Sequence, residues 1–367
     1  MPQKTRKIVD VAIIGAGPAG CAAALALKDS GLEVALIDRS EFPRDKVCGD
    51  AIPAKSFQYV NDLVPSSSGV FSEVTHQKVL ESYALYWKGR QIWNKKFFFP
   101  MVNIARKDFD NYLLESVKKH TQTGIHLGVK VNSISREEDG LGISNNDQES
   151  ILSAKIVAFA NGSTSRLFES TTQKKIELEG YGSAVRQYFK NVRLDQKKNH
   201  IFLPSKQKVP GYFWVFPLGN NVFNVGYGGW PKKPMSFKKE FQRILAEDSS
   251  IGQYFEHAEP LDSVRGHKIP FHSNVSDLVG ERCLVLGDAA GFVDPMDGHG
   301  IDNALLSGML AAESISASLK GNEFDQGELD RYMYLVESQI YPKLNRNLST
   351  LKRIYPFVSG LQRLRLI

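Results

Sequence analysis

The 367-residue sequence predicts an α/β fold: a discontinuous, Rossmann-like nucleotide-binding domain with an inserted, mostly antiparallel β-sheet domain and C-terminal helices. Three observations carry that expectation. A glycine-rich turn follows an apolar strand at residues 11–20, and a second apolar strand delivers Gly287-Asp288-Ala289-Ala290-Gly291. The chain between them holds aromatic segments punctuated by Gly and Pro, with few helix-length patterns. Because the two glycine-rich segments lie near opposite ends of the sequence, the domain they build has to be discontinuous.

Ile8 to Ile14 is an apolar run broken only by Asp10, the pattern of a buried parallel strand. Gly15, Gly17 and Gly20 follow in Gly-x-Gly-x-x-Gly spacing. The first allows a tight turn, the second lets a pyrophosphate approach the backbone, and the third lets a helix pack closely on the strand. Pro18 and Ala19 open the small-residue helix expected through Leu27, whose N-terminus would aim free N–H groups and a positive dipole end at phosphates. A second strand, Leu32 to Ile37, ends in Asp38 next to Arg39, and an acid at that place suits a ribose 2′-hydroxyl.

Far downstream, Cys283 to Leu286 forms another apolar run ahead of Gly287, Asp288 and Ala289. A carboxylate at the end of a buried strand can accept hydrogen bonds from a polyol, which a ribityl chain offers and a nicotinamide ribose does not. The cofactor so described is FAD, gripped at both ends. The loop from Pro295 through Gly298 and Gly300 leads into an amphipathic helix from about Ile301 to Leu319. Its N-terminus would put partial positive charge where a reduced flavin collects negative charge.

The remaining elements follow from pattern. Ala105 to Leu114 predicts a helix with Phe109, Leu113 and Val117 on one face, and short strands are expected in 124–134, 141–143 and 151–160. Residues 1–75, 100–180 and 266–325 are assigned to the FAD-binding domain, and 76–99 with 181–265 to the sheet domain. The first of those two sheet segments is aromatic, with Tyr83, Trp87, Trp93, Phe97, Phe98 and Phe99, and a helix from Met235 to Leu245 should lie beside the sheet. Residues 326–367 predict C-terminal helices, the last carrying Arg346, Lys352, Arg353, Arg363 and Arg365 among apolar residues. That pattern fits the solvated face of a docked helix or a peripheral membrane contact.

Composition narrows the class. Hydrophobic content of 42% and charged content of 23% are ordinary for a soluble globular chain. There is no apolar run of about 18 residues, and no cleavage-site pattern follows Lys4, Arg6 and Lys7. Three cysteines without a Cys-x-x-Cys imply neither a disulfide framework nor a metal site, so a cytoplasmic location is expected, with or without membrane association. A net charge of +6 with no basic stripe among aromatics gives no reason to expect nucleic acid.

Longer motifs point to a family. Pro210-Gly-Tyr-Phe-Trp-Val-Phe-Pro217, followed by Val225-Gly-Tyr-Gly228, resembles the Tyr-x-Trp-x-Phe-Pro motif of the geranylgeranyl reductase family of FAD-dependent oxidoreductases. Pro43 to Gly49, with Arg44, Lys46 and Cys48, resembles that family's segment ahead of the flavin, and Pro295 to Ile301 resembles its flavin loop. Gly287-Asp288-Ala289-Ala290 is similar to the second FAD motif of the group that includes p-hydroxybenzoate hydroxylase. Arg106 resembles the arginine those proteins place near the FAD pyrophosphate, although a solvated first-turn charge fits it equally. Asn161 to Arg166 resembles their Asp-Gly-x-x-Ser-x-x-Arg element only in part, since Asn161 replaces the acid and Arg166 directly follows Ser165.

The resemblance implies noncovalent FAD, a fold like p-hydroxybenzoate hydroxylase, and reduction of isoprenoid carbon–carbon double bonds. Strand alternation puts Tyr212, Trp214 and Phe216 on one face, with Phe213 and Val215 on the other. Such an aromatic wall, together with Pro295, suits a hydrophobic or aromatic substrate, though Phe216 fits a plain sheet core as well. His299 is a candidate proton donor, and Cys48 either packs or lies near the flavin edge. Gly226-x-Gly-Gly229 precedes Trp230-Pro231 rather than a helix, so no second nucleotide unit is expected. Electrons would come from transiently bound NAD(P)H or a redox protein. The alternatives are an aromatic monooxygenase, an electron-carrying flavoprotein, and a halogenase, whose Trp-x-Trp-x-Ile-Pro is half met because Tyr212 stands at the first tryptophan.

Overall fold

The computed structural model describes residues 8–64, 77–145, 150–205, 207–231, 233–272, 278–321 and 326–363. Lys4, Arg6, Lys7 and Arg365 lie outside the described residues, as do the side chains of Phe97, Phe98, Phe99 and Arg363.

The first of two sheets is built on five neighbouring parallel strands, in the order Cys283–Val285, Ser150–Phe159, Ile8–Ile14, Val34–Ile37 and Gly124–His126. Apart from the edge strand Gly124–His126, their apolar runs are largely buried on both faces, as parallel strands require. A hairpin, Ser133–Glu137 with Gly140–Ser144, adds antiparallel to the first half of Ser150–Phe159, and Val279–Gly280 caps the far edge. The helices Pro18–Ala26, Arg106–His120 and Ile301–Gly321 supply buried residues to one core with this sheet.

Two of those helices meet at unusually close range. A Cβ added at Gly308 would lie 2.3 Å from the Ala19 carbonyl oxygen and 2.9 Å from Ala22 Cβ. Helix Pro18–Ala26 is almost entirely Ala, Gly and Cys apart from Leu25, which gives its partner no side chain to push away. Gly287, at φ +58°, faces the same crossing from Ala19 and Ala304. The second cofactor motif is thereby held against the first.

The second sheet is the expected antiparallel one. Its order is Glu259–Pro260, Leu178–Lys190, Val222–Gly229, Gly211–Gly219, Lys198–Leu203, Gln77–Trp87, Arg90–Ile104 and Ala51–Ile52, with Arg265–His272 on the free side of Leu178–Lys190. Only Lys198–Leu203 beside Gln77–Trp87 is parallel. One face packs on the helices Phe237–Glu247 and Ser249–Gly252 through Phe213, Val215, Phe223, Val225 and Phe241, with Phe213 and Phe241 stacked at 5.5 Å. Each of these buried side chains contributes about 1.5–3 kcal/mol by burial. The opposite face presents Tyr212, Trp214 and Phe216 to the first sheet, the alternation read from the sequence.

Sheet membership departs from the expected boundaries at four places, the first being Ala51–Ile52, which joins the second sheet although residues 1–75 were assigned to the FAD-binding domain. Arg90–Ile104 runs past residue 99, Leu178–Lys190 starts before 181, and Arg265–His272 belongs to this sheet rather than to the FAD-binding part. The reason for these last three is continuity: each strand pairs within the second sheet on both sides of the expected boundary. Helix Ala54–Leu63 has no counterpart in the sequence reading, its short apolar stripe being Val60 and Leu63.

The helices Gln326–Gln339 and Tyr341–Arg363 close the chain. The start of the last one is docked, with Tyr341 and Leu344 buried, while Arg346, Lys352 and Arg353 are exposed. No described helix is long and apolar enough to cross a membrane. The tight helix crossing yields a direct expectation: Gly308→Val should lower stability by roughly 1–3 kcal/mol, the usual cost of overpacking, in urea unfolding followed by circular dichroism.

Candidate flavin and substrate site

Between the sheets lies a cavity of about 750 Å³ that both glycine motifs and the aromatic wall reach. At its nucleotide end, Gly15 has φ +112° and its missing Cβ leaves room for the Ala160 carbonyl, 2.4 Å from where that atom would stand. At Gly17 an added Cβ would meet nothing nearer than Arg44 Nη2 at 3.6 Å, so the backbone there is open to a ligand. The helix beginning at Pro18 has no side-chain cap, which leaves its first N–H groups facing the cavity. Gly20 does not line the cavity; a Cβ there would sit 1.9 Å from Gly15 O, so its task is helix–strand packing.

Asp38 accepts hydrogen bonds from Ala16 N and Ser40 N, both at 2.8 Å, which fixes its carboxylate at the cavity rim beside Arg39. Arg106 is buried and paired bidentately with Asp110, Nε to Oδ1 at 2.7 Å and Nη2 to Oδ2 at 2.9 Å. Arg44 reaches the same carboxylate at 3.1 Å. Burial works against the charge on Arg106, but Asp110 more than offsets it and raises its pKa. Two guanidiniums share one carboxylate, so net positive charge faces the cavity where a pyrophosphate would lie. Asp110 was not singled out from the sequence; its spacing of four from Arg106 on a helix is the signal that could have shown it.

Asp288 enters the cavity from the second motif and pairs with Lys46 at 2.7 Å. Burial opposes ionisation of this carboxyl, yet Lys46 holds its pKa below the usual value. Gly287 and Ala289 do not line the cavity: Gly287 serves the helix crossing, and Ala289 packs against the core. Asn161 and Ser163 line the wall between the two motifs, Asn161 bonded to Ser165 and Ser163 to His267, each at 2.7 Å.

At the other end the loop Gly298–Ile301 faces the sheet. His299 Nδ1 lies 3.1 Å from Asp297 Oδ2, and His299 N donates to Asp297 Oδ1 at 2.9 Å. Burial alone would lower the imidazole pKa, but the Asp297 carboxylate raises it to about 9. Tyr212 donates to the Asp297 carbonyl at 2.6 Å, tying the wall to the loop. Behind the loop, Lys343 lies 3.4 Å from Asp294 and 3.5 Å from Asp302, and Asn347 donates to Asp294 at 2.7 Å.

The indole of Trp214 lies on a glycine floor. A Cβ at Gly226, its cross-strand partner, would be 2.1 Å from Trp214 Cζ2, and one at Gly228 would be 3.4 Å from Cζ3. Trp214 Nε1 donates to Asn224 Oδ1 at 2.9 Å, and Asn224 Nδ2 donates to Cys48 O and Asp50 Oδ2. Burial raises the Cys48 thiol, which keeps it neutral at the cavity surface. Asp50 also accepts from Tyr188, and burial pushes its carboxyl up to about 6. Phe216 and Pro295 are corrected here: neither lines the cavity. Phe216 packs with Ala51 and Trp214, close to Gly49, and Pro295 is buried in the loop's interior. Apart from Gly20, Gly287 and Ala289, the other candidates from Gly15 to Ile301 line the one space.

The donor set fits FAD: an open glycine turn at a helix N-terminus, unbalanced arginine charge, a fixed rim acid, and a cavity carboxylate for a polyol. The chain belongs to the FAD binding domain family, whose model matches residues 8–334. It is similar to menaquinone reductase of Mycolicibacterium smegmatis, 29% identical over 331 residues that cover 84% of this chain and 76% of the relative. Digeranylgeranylglycerophospholipid reductase 2 of Methanosphaera stadtmanae is 26% identical over 92% of this chain and 86% of its own length. Among solved structures, a geranylgeranyl bacteriochlorophyll reductase-like protein from Thermoplasma acidophilum aligns at TM-score 0.79 and 21% identity, covering 95% of this chain and 88% of the other. The halogenase PltM shares the fold at TM-score 0.77 and 18% identity, covering 95% of this chain and 76% of the other.

Loss of the cavity carboxylate tests the cofactor assignment. Asp288→Ala should weaken FAD binding at least tenfold in titrations of the flavin-free protein, with its flavin-free melting temperature little changed. Wild-type affinity in that variant would remove Asp288 from the site.

Proposed function

We propose that this FAD-dependent oxidoreductase reduces carbon–carbon double bonds of a hydrophobic, isoprenoid-like substrate. One observation carries the reading: a single cavity has a nucleotide cradle at one end and, at the other, an aromatic wall facing a histidine paired with an acid. Bound there, FAD would supply a hydride from its reduced ring system.

The chain's own residues do the rest. Arg44, Arg106 and the Gly17 turn hold the phosphates; Asp38 and Asp288 take up hydroxyls of the ribose and the ribityl chain. Tyr212 and Trp214 bind apolar surface and exclude water. His299, kept as imidazolium by Asp297, holds the proton that a reduced double bond requires at its second carbon. Cys48, neutral beside Gly49, lines the space without acting as a base. Electrons come from NAD(P)H or a redox protein bound transiently, since one dinucleotide fingerprint serves one cofactor. The substrate implied by this reading belongs to a lipid phase, and the exposed Arg346, Lys352, Arg353 and Ile354 equip the C-terminal helix for peripheral contact with it. The relatives' names, quinone and prenyl-lipid reductases, support reduction over halogenation, as does Tyr212 at the place where a halogenase has tryptophan.

Anaerobic incubation of the reduced holoprotein with geranylgeranyl lipid should give a product two mass units heavier per double bond reduced. Hydroxylated or halogenated product under oxygen, with no saturated product, would replace the reading. The proton assignment has its own signature. Because the folded pKa of His299 is about 9, the imidazolium persists at neutral pH and is lost as pH rises through that value. The rate should therefore fall above about pH 9, and Asp297→Asn should move that limb toward the ordinary histidine value of 6.5 in a pH–rate profile.

A further inference from the structure

The sheet face that carries Trp214 continues beyond the cavity. Strand pairing sets Trp214 opposite Ile201, Ile201 opposite Leu85, and Leu85 opposite Trp93. Directly paired residues share a sheet face, so these four side chains form one row across four strands. Strands lie about 4.8 Å apart, so the row spans roughly 14 Å. It passes from the buried Trp214, through the partly buried Ile201 and Leu85, to Trp93, which is 48% exposed. Among the described residues Arg90–Ile104 is an edge at Trp93, since its far-side neighbour Ala51–Ile52 pairs with Asn103 and Val102. Tyr83 packs edge-on against Trp93 at 5.3 Å and makes one side of the track.

In the opposite direction the row is closed to hydrocarbon. Gly226 follows Trp214, and then comes Arg186, buried and paired with Asp45 at 2.7 Å and with Asp262. Along this row, an apolar chain whose reacting bond lies by Trp214 has one apolar direction, toward Trp93.

We propose that the row Trp214, Ile201, Leu85 and Trp93 is the track for the substrate's polyprenyl tail, one repeat per strand, leading from the reaction cavity to the sheet edge. The proposal rests on the isoprenoid reading above and adds where the tail lies and how its length is sensed. Two repeats cover Trp214 and Ile201; the third reaches Leu85 and the fourth Trp93.

The test is binding, not turnover. The oxidised holoprotein is titrated with geraniol, farnesol and geranylgeraniol, followed by perturbation of the flavin absorbance. Affinity should rise about fivefold or more with each added repeat, the gain expected for covering part of a five-carbon unit. Leu85→Glu should leave geraniol unchanged and abolish both later gains. Trp93→Ala, at an exposed position that tolerates truncation, should abolish only the gain from farnesol to geranylgeraniol. Equal affinity of the wild type for all three alcohols, or equal loss for all three in either variant, overturns the track. Failure to reduce any prenyl compound would instead overturn the reductase reading, and the chain-length measurement would still report on the track.

Discussion

The structure depends on how closely two buried helices can cross. Pro18–Ala26 follows the first glycine turn and Ile301–Gly321 follows the flavin loop, and neither motif is a binding site alone. Only because Gly308 presents no side chain to the Ala19 carbonyl can the two helices pack backbone to backbone. That contact fixes the distance between the arginine-lined phosphate end and Asp288, and hence the length of cofactor the cavity accepts. Dispersion over such an interface is individually weak and collectively large, and it requires small residues on both sides.

A second constraint holds the two sheets in register. The segment from Asp45 to Asp50 belongs to the nucleotide side by sequence, yet its two carboxylates are satisfied by the substrate sheet: Asp45 by Arg186 and Arg265, Asp50 by Tyr188 and Asn224. Lys46 and Cys48, between them, face the cavity. One short loop thus both binds the wall and lines the site. Buried charges of this kind need their partners, because an unpaired one costs several kcal/mol. Separation of the sheets would leave several such groups without them.

Much of this was legible in the sequence because local chemistry dictates it. The Gly15, Gly17 and Gly20 spacing, the acid at Asp38, and the alternation of Tyr212 and Trp214 against Phe213 each follow from backbone geometry within a few residues. What escaped were the long-range partners. Asn224 and Arg186 act through Cys48 and Asp45, 176 and 141 positions away in sequence, and nothing in their neighbourhoods announces it. Asp110 also reaches Arg44 over a long gap, although its spacing of four from Arg106 was a local signal. Phe216 shows the opposite limit: alternation placed it on the correct face, but which residues of that face meet the cavity depends on where Ala51 and Gly49 approach. The sheet boundaries failed for a related reason, since a strand's pattern does not say which sheet it joins.

The glycine floor beneath Trp214 gives the cavity an unusual kind of depth gauge. Main chain cannot be shortened by substitution, so no replacement at Gly226 or Gly228 can let the indole sink farther, and any larger residue lifts it. Divergence in what this protein accommodates is therefore confined to one direction: relatives can make the chamber shallower from below, but can enlarge it only by replacing the tryptophan itself or the side chains around its rim.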